Sequence, residues 1–371
     1  MFSNRDMQLR KIIETLVLIT GMALLCQSCK DRELKEYDFP NCYEIDLNSQ
    51  QPELPLSQFV DSVAEIVLTF PEDDFIGRAS QIWFAEDCFF ILDRMQHVIF
   101  RFLNDGKCVG KLKQRGNGKG EYSSISSFFV CEKEIFVFDK AVQCLLVYDF
   151  SFQYIRKIHC SQWVESVYPL DDGFICFTPH YVRNAPNGIW LMDEQGNPIK
   201  ELYNHGKKYP VPSVEWSSFY KTKHGIGIFD MATNSFYNYT DNNELLPIAR
   251  WDVGQKTIFD YEGEESVMKV NDLCWFAPIF VDTPLWTWYI WTNLNETPST
   301  LYTAYSKREG RNYISTKLKM DMGRVNILGF PLVANVENVL VALNTDEYLS
   351  EEEKDGLPEH ADILSIYCFK E

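Results

Sequence analysis

The sequence predicts an all-β fold, a six-bladed β-propeller of four-stranded antiparallel blades that follows an N-terminal export segment. Three observations predict it. A β-rich pattern repeats along the chain, and residues 1–28 have the layout of a signal peptide. In addition, 46% of the residues are hydrophobic and 15% are aromatic, which is typical of a large buried core.

The repeat is clearest between residues 89–112 and 135–158, which align without a gap at an offset of 46 residues (139 − 93). Each copy has a β-rich run that ends in aspartate, a turn, and a second run with an aromatic residue nine positions after the aspartate. These landmarks are Asp93 and Phe102, Asp139 and Tyr148, and, in a third copy at 225–250, Asp230 and Tyr239. A repeat of this length with short β-rich runs is typical of propeller blades.

Two weaker copies extend the count to five. Residues 173–202 retain a turn glycine, Gly196, which lies 90 residues after Gly106, and residues 284–316 form the weaker of the two. A four-stranded sheet buries little by itself, so stacking of neighbouring units must cover its two faces. The units are therefore predicted to close into a ring.

The sixth blade is expected to combine both ends of the chain, because an open ring would expose two sheet edges. Residues 42–47 (CYEIDL) are the predicted donated strand, and residues 53–70 are predicted to lead into the first full unit.

The repeated aspartates allow two interpretations. Their place at the end of a β-rich run favours a structural role, in which the carboxylate accepts hydrogen bonds from backbone N–H groups of a turn. Ligand or metal binding is the alternative. The repeated aromatic residues are predicted to pack between blades.

The N-terminus has the three parts of an export signal: basic residues, an apolar stretch at 16–25, and a short polar break. The apolar stretch covers roughly ten residues, whereas a transmembrane helix needs about twenty. Ser28 places the small residue that lipoprotein processing requires directly before Cys29. We therefore predict Cys29 as the lipid attachment site, with an ordinary secretory signal cut elsewhere as the alternative. Acyl chains on Cys29 would hold the protein at a membrane.

The predicted organisation is thus a signal peptide at 1–28, a lipidated tether at 29–40 and the propeller at 41–371. The chain has 53 acidic and 35 basic side chains, a formal charge of −18. Such a surface repels phosphate backbones, so nucleic acid is excluded as an expected partner. We expect a monomer.

The cysteines and histidines predict neither a metal site nor a cofactor. Outside the export segment, none of the eleven cysteines forms a close pair such as C-x-x-C, and the six histidines are scattered. Most cysteines lie within apolar β-rich runs, where a thiol behaves as a small hydrophobic group. No catalytic residue is predicted.

The unit at 89–112 and the loop at 114–130 (QRGNGKGEYSSISSFFV) carry a family resemblance. The sequence resembles the six-bladed β-propeller lipoproteins of the Bacteroidota, which are related in architecture to NHL-repeat proteins. The loop is similar to that family's G-x-G-P-G-E-Y element, with Lys119 in place of proline and matches at Gly116, Gly118, Gly120, Glu121 and Tyr122.

The resemblance implies an address rather than a reaction. Residues 30–33 (KDRE) resemble the short signal that sends lipoproteins of this phylum to the outer face of the outer membrane. We therefore expect the domain on the cell-surface side of the outer membrane, with its periplasmic side as the alternative.

Two segments are candidate ligand sites. In the loop Arg115–Tyr122, successive backbone N–H groups suggest an anion cradle, and Arg115 and Lys119 suit an acidic ligand. The favoured interpretation is a tight crossing between blades that Glu121 and Tyr122 fix in place.

The second candidate is an aromatic run. Alternation in a strand places Trp286 and Trp288 on one face and Tyr289 and Trp291 on the other. One face is expected to pack against a neighbouring blade, and sugar stacking on the tryptophans is the alternative.

The predicted function is a membrane-tethered, non-catalytic module that binds a glycan-related ligand or an envelope protein. The competing hypothesis is a hydrolase or lyase that acts on saccharide or lactone-like substrates through an axial His–carboxylate or metal site. Convergent histidine and acidic side chains in the channel favour the enzyme, and an apolar plug favours the binding module.

Overall fold

A computed structural model describes residues 39–44, 46, 49–71, 74–178, 186–204, 218–230, 233–252, 274–293, 300–322, 332–344 and 362–371. The predicted signal peptide, Cys29 and nearly all of the tether lie outside these residues. A search of the described residues finds no helix with the length and apolar character that a membrane span requires.

The described strands form a six-bladed propeller. Innermost strands of consecutive blades contact one another, and each blade continues outwards through antiparallel pairing. Blade 1 contains β4 (Ala79–Phe84), β5 (Cys88–Asp93), β6 (Val98–Leu103) and β7 (Cys108–Leu112). Blade 2 contains β8 (Ser127–Cys131), β9 (Glu134–Asp139), β10 (Cys144–Asp149) and β11 (Tyr154–His159). Blade 3 contains β12 (Ser166–Leu170), β13 (Gly173–Thr178), β14 (Gly188–Met192) and β15 (Pro198–Tyr203).

The next two blades repeat this order. Blade 4 contains β16 (Phe219–Thr222), β17 (Gly225–Asp230), β18 (Ser235–Thr240) and β19 (Leu245–Asp252). Blade 5 contains β20 (Cys274–Asp282), β21 (Trp286–Asn293), β22 (Thr300–Ser306) and β23 (Arg311–Ser315). The predicted fold and blade number are therefore confirmed, and the aligned copies coincide with the outer three strands of blades 1, 2 and 4.

Blade 6 combines both ends of the chain, as expected. Two of its strands are β26 (Val339–Asn344) and β27 (Asp362–Phe369). The short β25 (Val333–Ala334) precedes them at the axis, where it pairs in parallel with β4 of blade 1 and is joined to β26 by a single antiparallel bridge between Leu332 and Val341. The outermost strand is β3 (Val60–Leu68), which pairs with β27 in antiparallel register from Leu68 opposite Asp362 to Val60 opposite Phe369. This pairing closes the ring without a covalent bond.

The predicted identity of the closing strand is wrong. Residues 42–47 do not enter blade 6; instead β1 (Cys42–Glu44) adds in parallel to β19, the outer strand of blade 4. The reason is aromatic packing, since the ring of Tyr43 lies 5.1 Å from that of Trp251 in blade 4 and 4.1 Å from that of Tyr305 in blade 5. The closing strand comes from the stretch 53–70 that was expected to lead into the first blade.

The chain continues around the rim from β1 to β3. After β1, the amide of Gln51 donates to the carbonyl of Ile314 at 2.7 Å, and β2 (Leu54–Pro55) pairs in parallel with β24 (Leu318–Lys319) beside blade 5. A short 3-10 helix, Leu56–Gln58, then precedes β3. The described residues of 39–58, here called the rim segment, therefore cover outer edges of blades 4 and 5.

Hydrophobic clusters fill the spaces between blades. One cluster joins blades 1, 2 and 3, a second joins blades 6 and 1, a third joins blades 4 and 5, and a fourth joins blades 5 and 6. Phe102 is fully buried in the second cluster and Tyr148 in the first, which confirms that these landmark aromatics pack between blades.

Side-chain amides join neighbouring blades by paired hydrogen bonds. The Gln81 amide donates to the carbonyl of Phe128 at 2.6 Å and accepts from the Phe128 N–H at 3.0 Å, which links blades 1 and 2. Asn335 makes the same pair of bonds with the backbone of Phe84 at 2.9 and 2.7 Å, which links blades 6 and 1. Both amides satisfy backbone groups that lack a partner strand at the blade boundary.

Candidate functional site

The landmark aspartates are structural hubs. Asp93 is fully buried, and its carboxylate accepts backbone N–H bonds from Gly77 and Arg78, before the innermost strand, and from Met95 and Gln96, in the turn that follows β5. Asp93 therefore ties the start of its blade to the hairpin turn. This arrangement agrees with the structural role that the sequence favours for Asp93, because both of its carboxylate oxygens already accept hydrogen bonds.

The same arrangement recurs in blades 2 and 4. The carboxylate of Asp139 is fully buried and accepts from the backbone N–H and hydroxyl of Ser123 at 2.6 and 2.8 Å. Asp230 is also fully buried and accepts from the hydroxyl of Thr233 at 2.6 Å. The burial and bonding of these carboxylates give them a structural role.

The loop Arg115–Tyr122 is a crossing between blades 1 and 2. The Tyr122 hydroxyl is fully buried and donates to the carbonyl of His97 at 2.7 Å, and the Glu121 carboxylate accepts from the Gly118 N–H at 2.7 Å. Burial raises the pKa of Tyr122 to about 12, so the phenol remains a donor at neutral pH. Glu121 and Tyr122 therefore hold the loop through these hydrogen bonds.

The alternative anion cradle does not form. The Gly116 N–H donates to the carbonyl of Tyr122 at 2.9 Å, and a side chain at Gly116 would meet the Glu121 carboxylate, which occupies the interior of the loop. Gly120 has a φ of +79° and contacts the ring of Tyr154. A carboxylate in the loop opposes an anionic ligand by like charge.

The two basic side chains of the loop, Arg115 and Lys119, also contact other parts of the protein. The Arg115 guanidinium donates to the carbonyl of Ser123 at 3.0 Å, and the Lys119 ammonium lies 6.0 Å from the centroid of the Tyr154 ring. These contacts hold the loop against blade 2.

The aromatic run of blade 5 packs inside the protein. Trp288 is fully buried between blades 5 and 6, and Tyr289 faces the opposite way, 5.3 Å from Trp251 of blade 4. The predicted alternation is therefore confirmed, and sugar stacking on Trp288 is wrong because its ring is not accessible. Trp286 packs against Phe59 at 5.0 Å, and the side chain of Trp291 lies outside the described part of the chain.

Aromatic rings from the innermost strands meet in the axial channel. The ring of Trp83 in blade 1 lies 5.7 Å from that of Tyr168 in blade 3, and Tyr168 lies 5.9 Å from Phe219 in blade 4. Blades 1 and 3 are not neighbours, so the contact between Trp83 and Tyr168 crosses the space near the axis. This part of the channel carries an aromatic plug.

A second feature of the channel is a cavity of about 30 Å³ among Tyr220, Asp282, Leu332 and Val339 of blades 4 to 6. Among the described residues, no group of three histidine, cysteine, aspartate or glutamate side chains is arranged to hold a metal ion.

A larger opening lies between blades 2 and 3, here called the blade-2/3 groove. It has a volume of about 640 Å³ and an apolar floor of Phe136, Ile158, Pro169 and Phe174. Its walls carry charged side chains from β9, β11 and three turns, namely Glu132, Glu134, Arg156, Lys157, His159, Asp171 and Glu194.

One strong base in this groove is already paired. The Arg156 guanidinium donates to both carboxylate oxygens of Glu134, at 2.5 and 2.7 Å, and this hydrogen bonding raises the pKa of Arg156. The pKa of the nearby Cys131 thiol is also raised, first by burial and then by the negative charges of Glu132 and Asp171. The carboxylates of Glu132 and Asp171 therefore both lie near Cys131 at the inner end of the groove.

A second opening of about 500 Å³ lies between blades 3 and 4. It shares Pro169, Leu170, Asp171 and Phe174 with the blade-2/3 groove, so the two openings are adjacent. Ile199, which is 59% exposed, is part of its wall.

Sequence reasoning did not find these grooves. Their charged side chains lie in turns that are far apart in the sequence, and no single segment has a pattern that indicates a binding site. The available signal was the repeat itself, because acidic residues recur between the first two strands of blades 1, 2 and 3, namely Glu86, Asp87, Glu132, Asp171 and Asp172.

Eight cysteines of the described part of the chain are free thiols, and four of these are buried. Burial raises the pKa of Cys160 to about 12 and the pKa of Cys176 well above its usual value. A thiol that stays protonated is a poor nucleophile and metal ligand.

The family model for a domain of unknown function, DUF4934, matches residues 42–366. A comparison with curated proteins finds no match. Among solved structures, an exported protein of Bacteroides fragilis is similar with a TM-score of 0.71 at 16% identity, over 89% of this chain and 99% of that one.

Two further structures have TM-scores below 0.5. A DUF4221 family member from Bacteroides vulgatus has a TM-score of 0.46 at 9% identity, over 84% of this chain and 97% of that one. BamB from Moraxella catarrhalis has a TM-score of 0.43 at 9% identity, over 84% of this chain and 100% of that one. The fold assignment rests on the strand pairing and on the Bacteroides fragilis structure.

Proposed function

We propose that this chain, which belongs to the DUF4934 family, is a lipid-anchored binding module of the bacterial outer membrane. The propeller contacts its partner through one side of the ring, on the cell-surface side, and carries out no reaction itself. The partner is a glycan-related ligand or another envelope protein.

The observation that carries the binding role is the contrast between the channel and the grooves. Trp83 and Tyr168 occupy the axial space in which the catalytic groups of a propeller enzyme would meet. The open space with charged walls lies instead in the blade-2/3 groove. An apolar, plugged channel supports binding rather than catalysis, and concave sites with a few polar groups on an apolar floor are typical of ligand pockets.

The anchor is supported by the sequence around Cys29 and by the position of the rim segment. Phe39 is the first described residue, and its ring lies 5.5 Å from that of Tyr237 in blade 4. Phe39 lies ten positions after Cys29 in the sequence, a stretch that spans about 35 Å when extended. The similar Bacteroides fragilis protein is described as exported, in line with this proposal.

Replacement of the lipid acceptor tests the anchor. We expect Cys29→Ala to move the protein from the outer-membrane fraction to the soluble fraction and to abolish palmitate labelling, because stable membrane attachment requires acyl chains. Cell fractionation with immunoblotting measures the result. Cys26→Ala is the matched control and is expected to remain in the membrane.

Retention of the Cys29→Ala protein at the membrane would contradict the proposed acceptor. Digestion of intact cells with proteinase K distinguishes the two leaflets. Loss of the domain supports the cell-surface side, and protection until the cells are lysed indicates the periplasmic side instead.

A further inference from the structure

We propose that the blade-2/3 groove binds an extended, basic segment of a partner protein. The inference rests on the proposed binding function and deepens it, since it names both the surface and the chemistry of the partner.

The groove floor suits long aliphatic side chains. Phe136 and Phe174 are 7% and 4% exposed, and their rings lie 6.0 Å apart in an edge-on arrangement. With so little ring surface exposed, they present a narrow apolar strip and no open face. The methylene stems of lysine and arginine pack along such strips while their charged ends reach water or a carboxylate.

The groove walls present carboxylates for those charged ends. Arg156 is neutralised by Glu134, whereas Glu132 and Asp171 are exposed and form no ion pair among the described residues. Glu194 lies in the turn between the third and fourth strands of blade 3, the blade that also carries Asp171. Both blades that form the groove therefore contribute acidic groups, Glu132 from blade 2 and Asp171 and Glu194 from blade 3.

Long-range electrostatics favour the same ligand. The formal charge of the chain is −18, and the groove itself has four carboxylates, Glu132, Glu134, Asp171 and Glu194, against the two basic side chains Arg156 and Lys157. A cleft with an excess of one sign of charge raises the local concentration of ligands of the opposite sign. A basic segment is attracted to this protein before it makes any contact, and an acidic segment is repelled.

A neutral saccharide fits the groove less well. Sugar rings stack on exposed aromatic faces, and the two floor rings are almost completely covered. A neutral saccharide also carries no positive charge that could pair with the carboxylates of the groove walls. The observations therefore favour a basic protein segment over a glycan at this site.

The test uses the full-length chain in non-ionic detergent and a fluorescein-labelled peptide of alternating lysine and threonine. About twelve residues give an extended length of about 40 Å. Fluorescence anisotropy is expected to show saturable binding that weakens with added salt, since salt screens exposed charges. A peptide with glutamate in place of lysine is expected not to bind.

The double substitution Glu132→Gln/Asp171→Asn is expected to weaken binding of the lysine peptide about tenfold, because it removes two exposed ion pairs. Glu86→Gln/Asp87→Asn is the matched control. It makes the same charge change in the equivalent turn of blade 1, outside the groove, and is expected to change binding less than about twofold.

Three results would overturn the inference: no saturable binding of the lysine peptide, equal weakening by the two double variants, or binding of a neutral oligosaccharide such as maltoheptaose without binding of the peptide. Equal weakening would indicate attraction by net charge alone. None of these results alters the fractionation expected for Cys29→Ala, so failure of this inference is distinguishable from failure of the proposed anchor.

Discussion

Asp93→Ala is expected to lower the free energy of unfolding by about 4 kcal/mol. The substitution removes the acceptor of four backbone N–H bonds in a site where Asp93 itself is fully buried. A donor left without a partner in such a site costs about 1–3 kcal/mol, and partial hydration of the turn reduces the sum. Urea unfolding followed by tryptophan fluorescence measures the change.

Two further substitutions separate the contributions to this loss. Asp93→Asn keeps the shape and one acceptor oxygen, so we expect an intermediate loss. Asp87→Ala removes an exposed carboxylate from the same blade and is expected to cost less than about 0.5 kcal/mol. A loss below about 1 kcal/mol for Asp93→Ala would contradict the structural role and reopen ligand binding.

Gly106→Ala is expected to destabilise the protein by about 3–4 kcal/mol. Gly106 has a φ of +88°, and an added Cβ would lie 2.1 Å from the carbonyl oxygen of Val67 in the closing strand β3. The left-handed conformation costs a non-glycine residue about 1–2 kcal/mol, and the forced shift of backbone adds about 1–3 kcal/mol. The same urea titration measures the effect.

Gly310→Ala is the matched control, because Gly310 occupies the corresponding turn of blade 5. Its φ is +68°, but the nearest atom to an added Cβ is the Tyr305 hydroxyl at 3.9 Å. We expect a loss of about 1 kcal/mol, from conformation alone. Equal losses at Gly106 and Gly310 would show that contact with β3 contributes nothing.

The repeat explains why the sequence predicts the blades so well. Asp93, Asp139 and Gly196 stabilise local turns, so each residue type recurs at a fixed position of the repeat.

Phe152 is an exception to the repeat. It has a φ of +62° at the turn position where blades 1 and 3 have Gly106 and Gly196. Its ring is buried against Gly110 of blade 1, and this packing offsets the strain.

The closing strand and the grooves were harder to predict because they depend on distant contacts. Residues 42–47 and 60–68 both have β-rich character, and the choice between them depends on Tyr43 meeting Trp251 and Tyr305, more than two hundred residues away. The groove likewise combines Glu132 with Asp171 and Glu194 from other turns. A repeat identifies equivalent positions but not the charges that neighbouring blades bring together.

The channel and the grooves both depend on closure of the ring through β3, and this closure has a direct test. Ser62 in β3 lies opposite the native Cys368 in β27. Mild oxidation of the Ser62→Cys protein with oxidised glutathione should join the two positions by a disulfide, because directly opposed residues lie within reach of one.

Peptide mass mapping of the oxidised protein is the decisive measurement. We expect a linkage between positions 62 and 368 in Ser62→Cys and none in Asp61→Cys, whose side chain points to the other face of β3. Absence of the linkage in Ser62→Cys, or equal linkage in both variants, would contradict a ring closed by this strand.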